Sequence, residues 1–319
     1  MSTLAAALLS LLPRAVADEP PPETDIYVVD LDPKSRRVGK PHNVTPRRGY
    51  DNQPAFLLDD SALLFVAAEG AGPTDVFRFD FATGVTTQVT ATPEAEFSPT
   101  PLASGFSVVR VGAPTGDTEA YTESQGLWRY DGADKIPLFP AIRRVGYHTW
   151  LDERHVALVI VGPTASPPHA LVMVDVATGV QTPLAPDVGR SLGHTPDGKR
   201  VSFVDKHVAD RWTVSAIAAG ETATELIATP PLPDRDSAVD PSEDFCWLPD
   251  GSLLMAVGTR LLRWDGASGG AWVQLAAFPE LRGDIKRIAV SHDGRRIAFV
   301  LQTPVPMPEV PHTTRGEAP

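Results

Sequence analysis

The 319 residues include one cysteine, Cys246. It has no partner for a disulfide within the chain, and no grouping of Cys and His has the spacing of a structural zinc site. A disulfide scaffold and a zinc module are both excluded, and Cys246 reads as a small apolar residue of a strand rather than a reactive thiol. Basic residues are in deficit as well: 28 Lys and Arg stand against 40 Asp and Glu, for a formal net charge of -12 and a pI near 5.1. Non-specific nucleic-acid binding needs clustered cations to displace counterions from phosphates, so nucleic acid is not expected as a partner. Long apolar runs are missing too. The segment LAAALLSLL at residues 4–12 is too brief to cross a bilayer as a helix, no other stretch is a candidate, and membrane insertion is not expected. Absent, finally, are the G-x-S-x-G elbow, the H-E-x-x-H helix, the P-loop and the Rossmann glycine pattern, which removes the commonest sequence signatures of hydrolases, zincins and nucleotide enzymes.

What is present is enough apolar material for a core, 42% of residues against 21% charged, so the chain folds rather than staying disordered. Proline is frequent, at 32 residues, and aromatics are modest at 7%, the mixture expected when many short strands are joined by turns. The expected class is all-β.

The ends read differently from the middle. The apolar run followed by Ala15-Val16-Ala17 has the form of a secretory signal over residues 1–17, and no cysteine follows it to carry a lipoprotein anchor. Export, to a periplasm or to the outside, is the expectation. Residues 18–24 and 302–319 are proline-rich and polar and read as a linker and a disordered tail. Residues 25–301 are left to make one domain.

Within that domain two units alternate. The first is a strand, a tight turn built on Pro-Asp-Gly and a second strand, plainest as HTPDGKRVSFV at 194–204, WLPDGSLLMAV at 247–257 and VSHDGRRIAFV at 290–300. Weaker copies lie at 55–67, 101–111 and 149–161. Asp-Gly suits such a turn because glycine tolerates positive φ and the Asp carboxylate accepts nearby backbone N–H groups. That regular place in each clear repeat favours turn-making over a calcium site at Asp197, Asp250 and Asp293. The second unit is a strand ending in an acidic residue, a turn and a Thr/Val/Leu-rich strand, as in DVFRFDFATGVTTQVT at 75–90 and LVMVDVATGVQTPLA at 171–185, with further copies at 25–45, 127–139, 212–228 and 261–278.

Four strands every roughly 43 to 53 residues match the blades of a β-propeller, not a helical solenoid. Because the chain opens on a second-type unit and closes on a first-type one, residues 286–301 and 25–45 are expected to share one blade and close a six-bladed ring of four-stranded blades without an open edge. Trp150 and Trp247 occupy equivalent positions in the first unit and are expected to pack between blades.

The alternation of W-x-P-D-G-x-x-x-x-x-V with D-I-Y-V-V-D-L and its Thr-Gly turns resembles the PD40, or WD40-like, repeat of TolB-type propellers over nearly the whole chain after the leader. The resemblance implies an exported or periplasmic propeller that serves protein binding. The chain lacks the separate N-terminal domain of TolB, so the resemblance does not extend to TolB's partners.

In a propeller the innermost strands line a channel. Counted from the turn, the equivalent positions at its mouth are Gln53, Ser98, Tyr147, Ser191, Asp244 and Arg287, with His148 and His194 nearby. They are the candidate binding residues for a small ligand or a peptide. The plainer and preferred account is that they are ordinary solvated side chains at a water-filled channel. No catalytic residue is assigned, and no metal or cofactor is expected. His148 and His194 lack a fixed third ligand, and Glu243 and Asp244, adjacent on an expected strand, should point to opposite faces. The leading expectation is a non-enzymatic scaffold for a protein or peptide; the alternative is a channel-mouth hydrolase or lyase acting on a sugar or lactone, with or without a metal.

Overall fold

The computed structural model describes residues 23–68, 70, 72–112, 118–162, 169–209, 211–231, 243–266 and 270–303. The leader and the Pro-rich tail beyond residue 303 lie outside them. Strand β1 (Thr24–Asp30) pairs with the short β2 (His42–Asn43). Four antiparallel strands follow, β3 (Tyr50–Phe56), β4 (Ala62–Ala68), β5 (Asp75–Asp80) and β6 (Thr86–Gln88), then β7 (Ala95–Pro101) and β8 (Phe106–Val111). A short helix α1 (Thr118–Glu123) precedes β9 (Gly126–Asp131) and β10 (Asp134–Pro137), which complete the sheet begun by β7. Three more four-stranded sheets are β11 (Val145–Trp150), β12 (His155–Ile160), β13 (Ala170–Asp175) and β14 (Gln181–Pro186); β15 (Val188–His194), β16 (Val201–Asp205), β17 (Thr213–Ile217) and β18 (Thr224–Ala228); and β19 (Phe245–Trp247), β20 (Leu253–Val257), β21 (Arg260–Trp264) and β22 (Val273–Ala277). The last two strands are β23 (Asp284–Val290) and β24 (Arg296–Gln302).

Every expected hairpin falls where the repeat placed it. The Asp of each Asp-Gly turn acts as an acceptor: Asp197 takes the N–H of Lys199 at 3.1 Å, Asp250 that of Ser252 at 3.0 Å and Asp293 that of Arg295 at 2.9 Å. The glycines that follow have φ of 68°, 83° and 68°, the left-handed region that a Cβ makes costly. Asp80 and Asp175, which end the first strand of the second unit, cap their own Thr-Gly turns in the same way through Thr83 and Thr178.

The N-terminal strand β1 pairs antiparallel with β24 from Thr24↔Gln302 to Asp30↔Arg296. Thr24, read from sequence as linker, is therefore buried in the ladder, and the tail begins one residue later than expected. A single parallel bridge, Thr24↔Tyr50, joins this set to β3. Second strands are buried on both faces, as β4 and β20 show along their whole length, while outer strands such as β6 and β10 are exposed. The apolar core is divided among the gaps between successive sheets. Val76 and Tyr130 share one, Val109 and Leu158 the next, Leu171 and Phe203 a third, Phe245 and Val214 a fourth, Leu254 and Phe299 a fifth, and Ile26, Phe65 and Val300 another. The first strands touch in the order β3, β7, β11, β15, β19, β23, and β23 touches β3.

Trp150 and Trp247 do pack between sheets. Each indole N–H donates to a serine of the preceding sheet's second strand, Ser107 and Ser202, both at 2.9 Å.

Candidate functional site

The ring positions sit on irregular backbone. The ladder shifts register between Asn52 and Ala55 in β3, Phe97 and Thr100 in β7, Val145 and Tyr147 in β11, Val188 and Leu192 in β15, and Lys286 and Ala289 in β23. Such bulges turn a side chain out of the pleat's strict alternation. Gln53, Ser98 and Arg287 hold φ of 56°, 52° and 50°, a conformation that costs a non-glycine residue about 1 kcal/mol or more.

The structure joins these residues in small sets. Gln53 Oε1 accepts the backbone N–H of Ser98 at 2.7 Å. Ser191 Oγ accepts the N–H of Phe245 at 3.2 Å and donates to its carbonyl at 3.3 Å, tying β15 to β19. Arg287 Nη2 donates to the Tyr147 hydroxyl at 3.0 Å, and its guanidinium lies 5.0 Å from the centre of the Tyr147 ring. Arg287 also stands 3.8 Å from Asp244 Oδ1.

Asp244 is the hub. Arg190 grips it twice, Nε on Oδ1 at 3.1 Å and Nη2 on Oδ2 at 2.6 Å, the two-pronged geometry for which guanidinium is suited. Beside it Glu243 accepts the backbone N–H of Arg190 at 3.0 Å and pairs with Lys206 Nζ at 2.8 Å. Lys206 in turn lies 4.2 Å over the Trp212 ring. Glu243 and Asp244 thus do not diverge to opposite faces as expected. They precede β19 rather than lie in it, so the period-two rule does not apply, and both carboxylates reach Arg190. Gly189 makes the approach possible, since a Cβ there would stand 2.5 Å from Glu243 Oε2.

Burial penalises the charge of both acids, but the cations around them prevail. Arg190 and Arg287 hold Asp244 well below the usual carboxylate range, and Arg190 and Lys206 hold Glu243 below its own. Asp244 raises the Arg190 guanidinium further. Tyr50, at the start of β3 and within the field of Arg287 and Arg190, is pushed up to about 12 by burial and remains a protonated donor at neutral pH.

The histidines are placed apart from this set. His148 is buried, its Nε2 2.7 Å from Ser107 Oγ and its Nδ1 without a partner among the described residues. Burial depresses it to about 3, so it is neutral in the working range. His194 is exposed at the end of β15, with Nδ1 3.3 Å from the Thr195 carbonyl. The two share no partner among the described residues. Among the described residues no three of His, Cys, Asp and Glu gather as a metal-holding group. Cys246 lies in β19, partly buried, and burial pushes its thiol far above the usual range.

Sequence reasoning missed Arg190, Lys206 and Tyr50. Arg190 directly precedes the ring position Ser191, and the register shift spanning Val188 to Leu192 displaces the functional side chain by one residue. That shift leaves no mark in the sequence, whereas an Arg directly before Ser191 was visible.

No protein-family model matches the chain. No curated protein matches it either. Solved structures do. It is similar to a provisionally assigned TolB from Agrobacterium tumefaciens, at 15% identity over 89% of this chain and 100% of that one, with a TM-score of 0.60. It is similar to a gluconolactonase from Xanthomonas campestris, at 13% identity over 90% and 96% of the two chains, TM-score 0.60. An oligogalacturonate lyase solved with manganese matches at 15% identity over 88% and 83%, TM-score 0.52. At these identities the likeness is one of fold, and the fold is a TolB-like β-propeller.

Proposed function

We propose that the chain is an exported propeller of six four-stranded blades, closed by β1 on β24, that serves as a non-enzymatic scaffold binding a protein or peptide at the mouth of its first strands. Closure is supported by apolar clusters that lead from each sheet to the next and back through Ile26, Phe65 and Val300, and by Asp60, which accepts the backbone N–H groups of His292 and Asp293 at 2.8 and 2.9 Å across the joint. Export rests on the leader, and the resemblance to TolB-type propellers agrees with it.

One observation carries the binding reading. The charged and polar side chains at the mouth hold one another in fixed ion pairs, so their acids are ionised and their buried histidine neutral, an arrangement suited to recognition rather than proton transfer. Partner capture tests it. A photo-crosslinking residue at Gln53, compared with one at the exposed outer position Val180, should trap a discrete partner from an envelope fraction at the mouth alone. Equal labelling from both positions, or none, refutes it.

The second reading, a hydrolase or lyase on a sugar or lactone, is favoured by the likeness of fold to the gluconolactonase and the lyase. Turnover of a gluconolactone or of an oligogalacturonate by protein purified without chelator, abolished by Arg287→Gln, would put it first.

A further inference from the structure

The ion pairs at the mouth leave one cation underused. Asp244 turns both oxygens to Arg190, at 2.6 and 3.1 Å, and meets Arg287 only at 3.8 Å. Among the described residues the Arg287 side chain makes one hydrogen bond, to the Tyr147 hydroxyl. A guanidinium carries several N–H donors, and this side chain is only 14% exposed. None of its nitrogens is both buried and unpartnered, so the donors that Tyr147 does not take are open to solvent and to a ligand. The backbone holds the side chain there at a cost, since Arg287 keeps φ at 50°. The Tyr147 ring centre lies 5.0 Å from the guanidinium carbon, and a guanidinium fork is the group that matches a carboxylate in two parallel bonds. On β3, which touches β23, the Tyr50 hydroxyl has no hydrogen-bond partner among the described residues. In a chain of net charge -12, a held cation with open donors is matched to an anionic group that arrives from outside.

We infer that Arg287, with the Tyr147 hydroxyl bonded to it and Tyr50 on the adjoining strand β3, is the receptor for a carboxylate of the bound partner. This rests on the scaffold reading for its location and adds the chemistry that the mouth selects. The carboxylate has three possible sources: a peptide's C-terminus, an acidic side chain, or a sugar acid.

Ligand-observed NMR titration separates these sources. The probes are trialanine with a free C-terminus, triglutamate amidated at its C-terminus, D-galacturonate, and triglutamine amide as the uncharged comparison. At least one carboxylate probe should bind and triglutamine amide should not. Arg287→Gln should weaken that binding at least tenfold, as expected for loss of a charge-assisted pair, and Tyr50→Phe several-fold, while Arg282→Gln on the exposed surface leaves it unchanged. Tyr50→Phe keeps the ring and every ion pair, so it remains informative if Arg287→Gln does not fold. Failure of all three carboxylate probes, or binding indifferent to both Arg287→Gln and Tyr50→Phe, overturns the inference. Tight binding by galacturonate alone keeps the carboxylate receptor and moves its source to a sugar acid. Carboxylate binding through Arg287 with no crosslinked partner at Gln53 defeats the scaffold reading and leaves the receptor standing.

Discussion

If the ring is closed by its N-terminal strand, deleting residues 1–46 should unfold the whole domain rather than trim one edge. The segment removes β1 and β2, and with them Ile26 and Val29, fully buried, and Val28 and Leu31, nearly so. Burying an aliphatic side chain of this size is worth about 1.5–3 kcal/mol, so the four contribute about 6–12 kcal/mol before entropy and residual burial in the unfolded chain are set against them. A domain's entire stability is about 5–15 kcal/mol. The loss also strips the stacking partner Tyr27 from Phe299, 5.9 Å between ring centres, and exposes the ladder of β24, whose Ile297 to Val300 are fully buried in the intact chain. A bare apolar edge of that kind pairs with other chains. The truncated protein should therefore show no cooperative melt by circular dichroism and should elute as aggregate. A synthetic peptide of residues 23–46 added during refolding should restore a monomer with the parent's spectrum. A truncated chain that melts cooperatively, as a monomer, near the parent's midpoint would refute closure by β1.

Other expectations are more local. Burial pushes the Asp51 carboxyl up to about 7 although Arg47 lies 2.6 Å away and opposes the shift, with the Asp25 charge adding to it. The native chain thus keeps a proton that the unfolded chain, with its carboxyl near 3.8, releases, and this group's contribution to stability falls as pH rises from about 4 to about 7. Asp51→Asn should gain on the parent between pH 5 and pH 8 in urea unfolding, by about 2–3 kcal/mol; an equal difference at both pH values would count against the assignment. His148 acts in the opposite sense: depressed to about 3, it is a proton acceptor only in the unfolded chain, so its contribution is lost as pH falls below about 6.5, and His148→Gln should reduce the acid sensitivity of unfolding. Trp247→Phe removes the indole donor to Ser202 and should cost about 1–2 kcal/mol, with Ser202→Ala adding little to it in a double-mutant cycle. Ser98→Val places a β-branched side chain at φ of 52° and should cost about 2–3 kcal/mol, whereas Ser98→Gly should be near neutral in the same urea titration.

The difference between what could and could not be read in advance has a physical basis. A hairpin announces itself locally, because Asp250 and Gly251 do their work within a few residues of each other. Repetition of such local chemistry along the chain made the strands, the turns and the interlocking of Trp150 and Trp247 legible. The mouth is another matter. Arg287 meets Tyr147 across 140 residues of sequence, Arg190 meets Asp244 across 54, and each of these side chains is aimed by its own local backbone, a bulge in three of the first strands and the irregular approach to β19 at Asp244. Counting back from the turns picked out Gln53, Ser98 and Arg287 as equivalent positions, and the structure gives all three a positive φ within a register shift. The count stopped one residue short at Arg190, where the shift runs from Val188 to Leu192, and it gave Glu243 and Asp244 a strand's alternation just outside the strand. The repeat specifies what the sheets have in common, and those features build each of them. Chemistry at the mouth arises from the positions where blades differ. There the fold supplies only a location, and the residue that happens to stand on the bulge, Gln in one blade and Arg in another, decides what the site can hold.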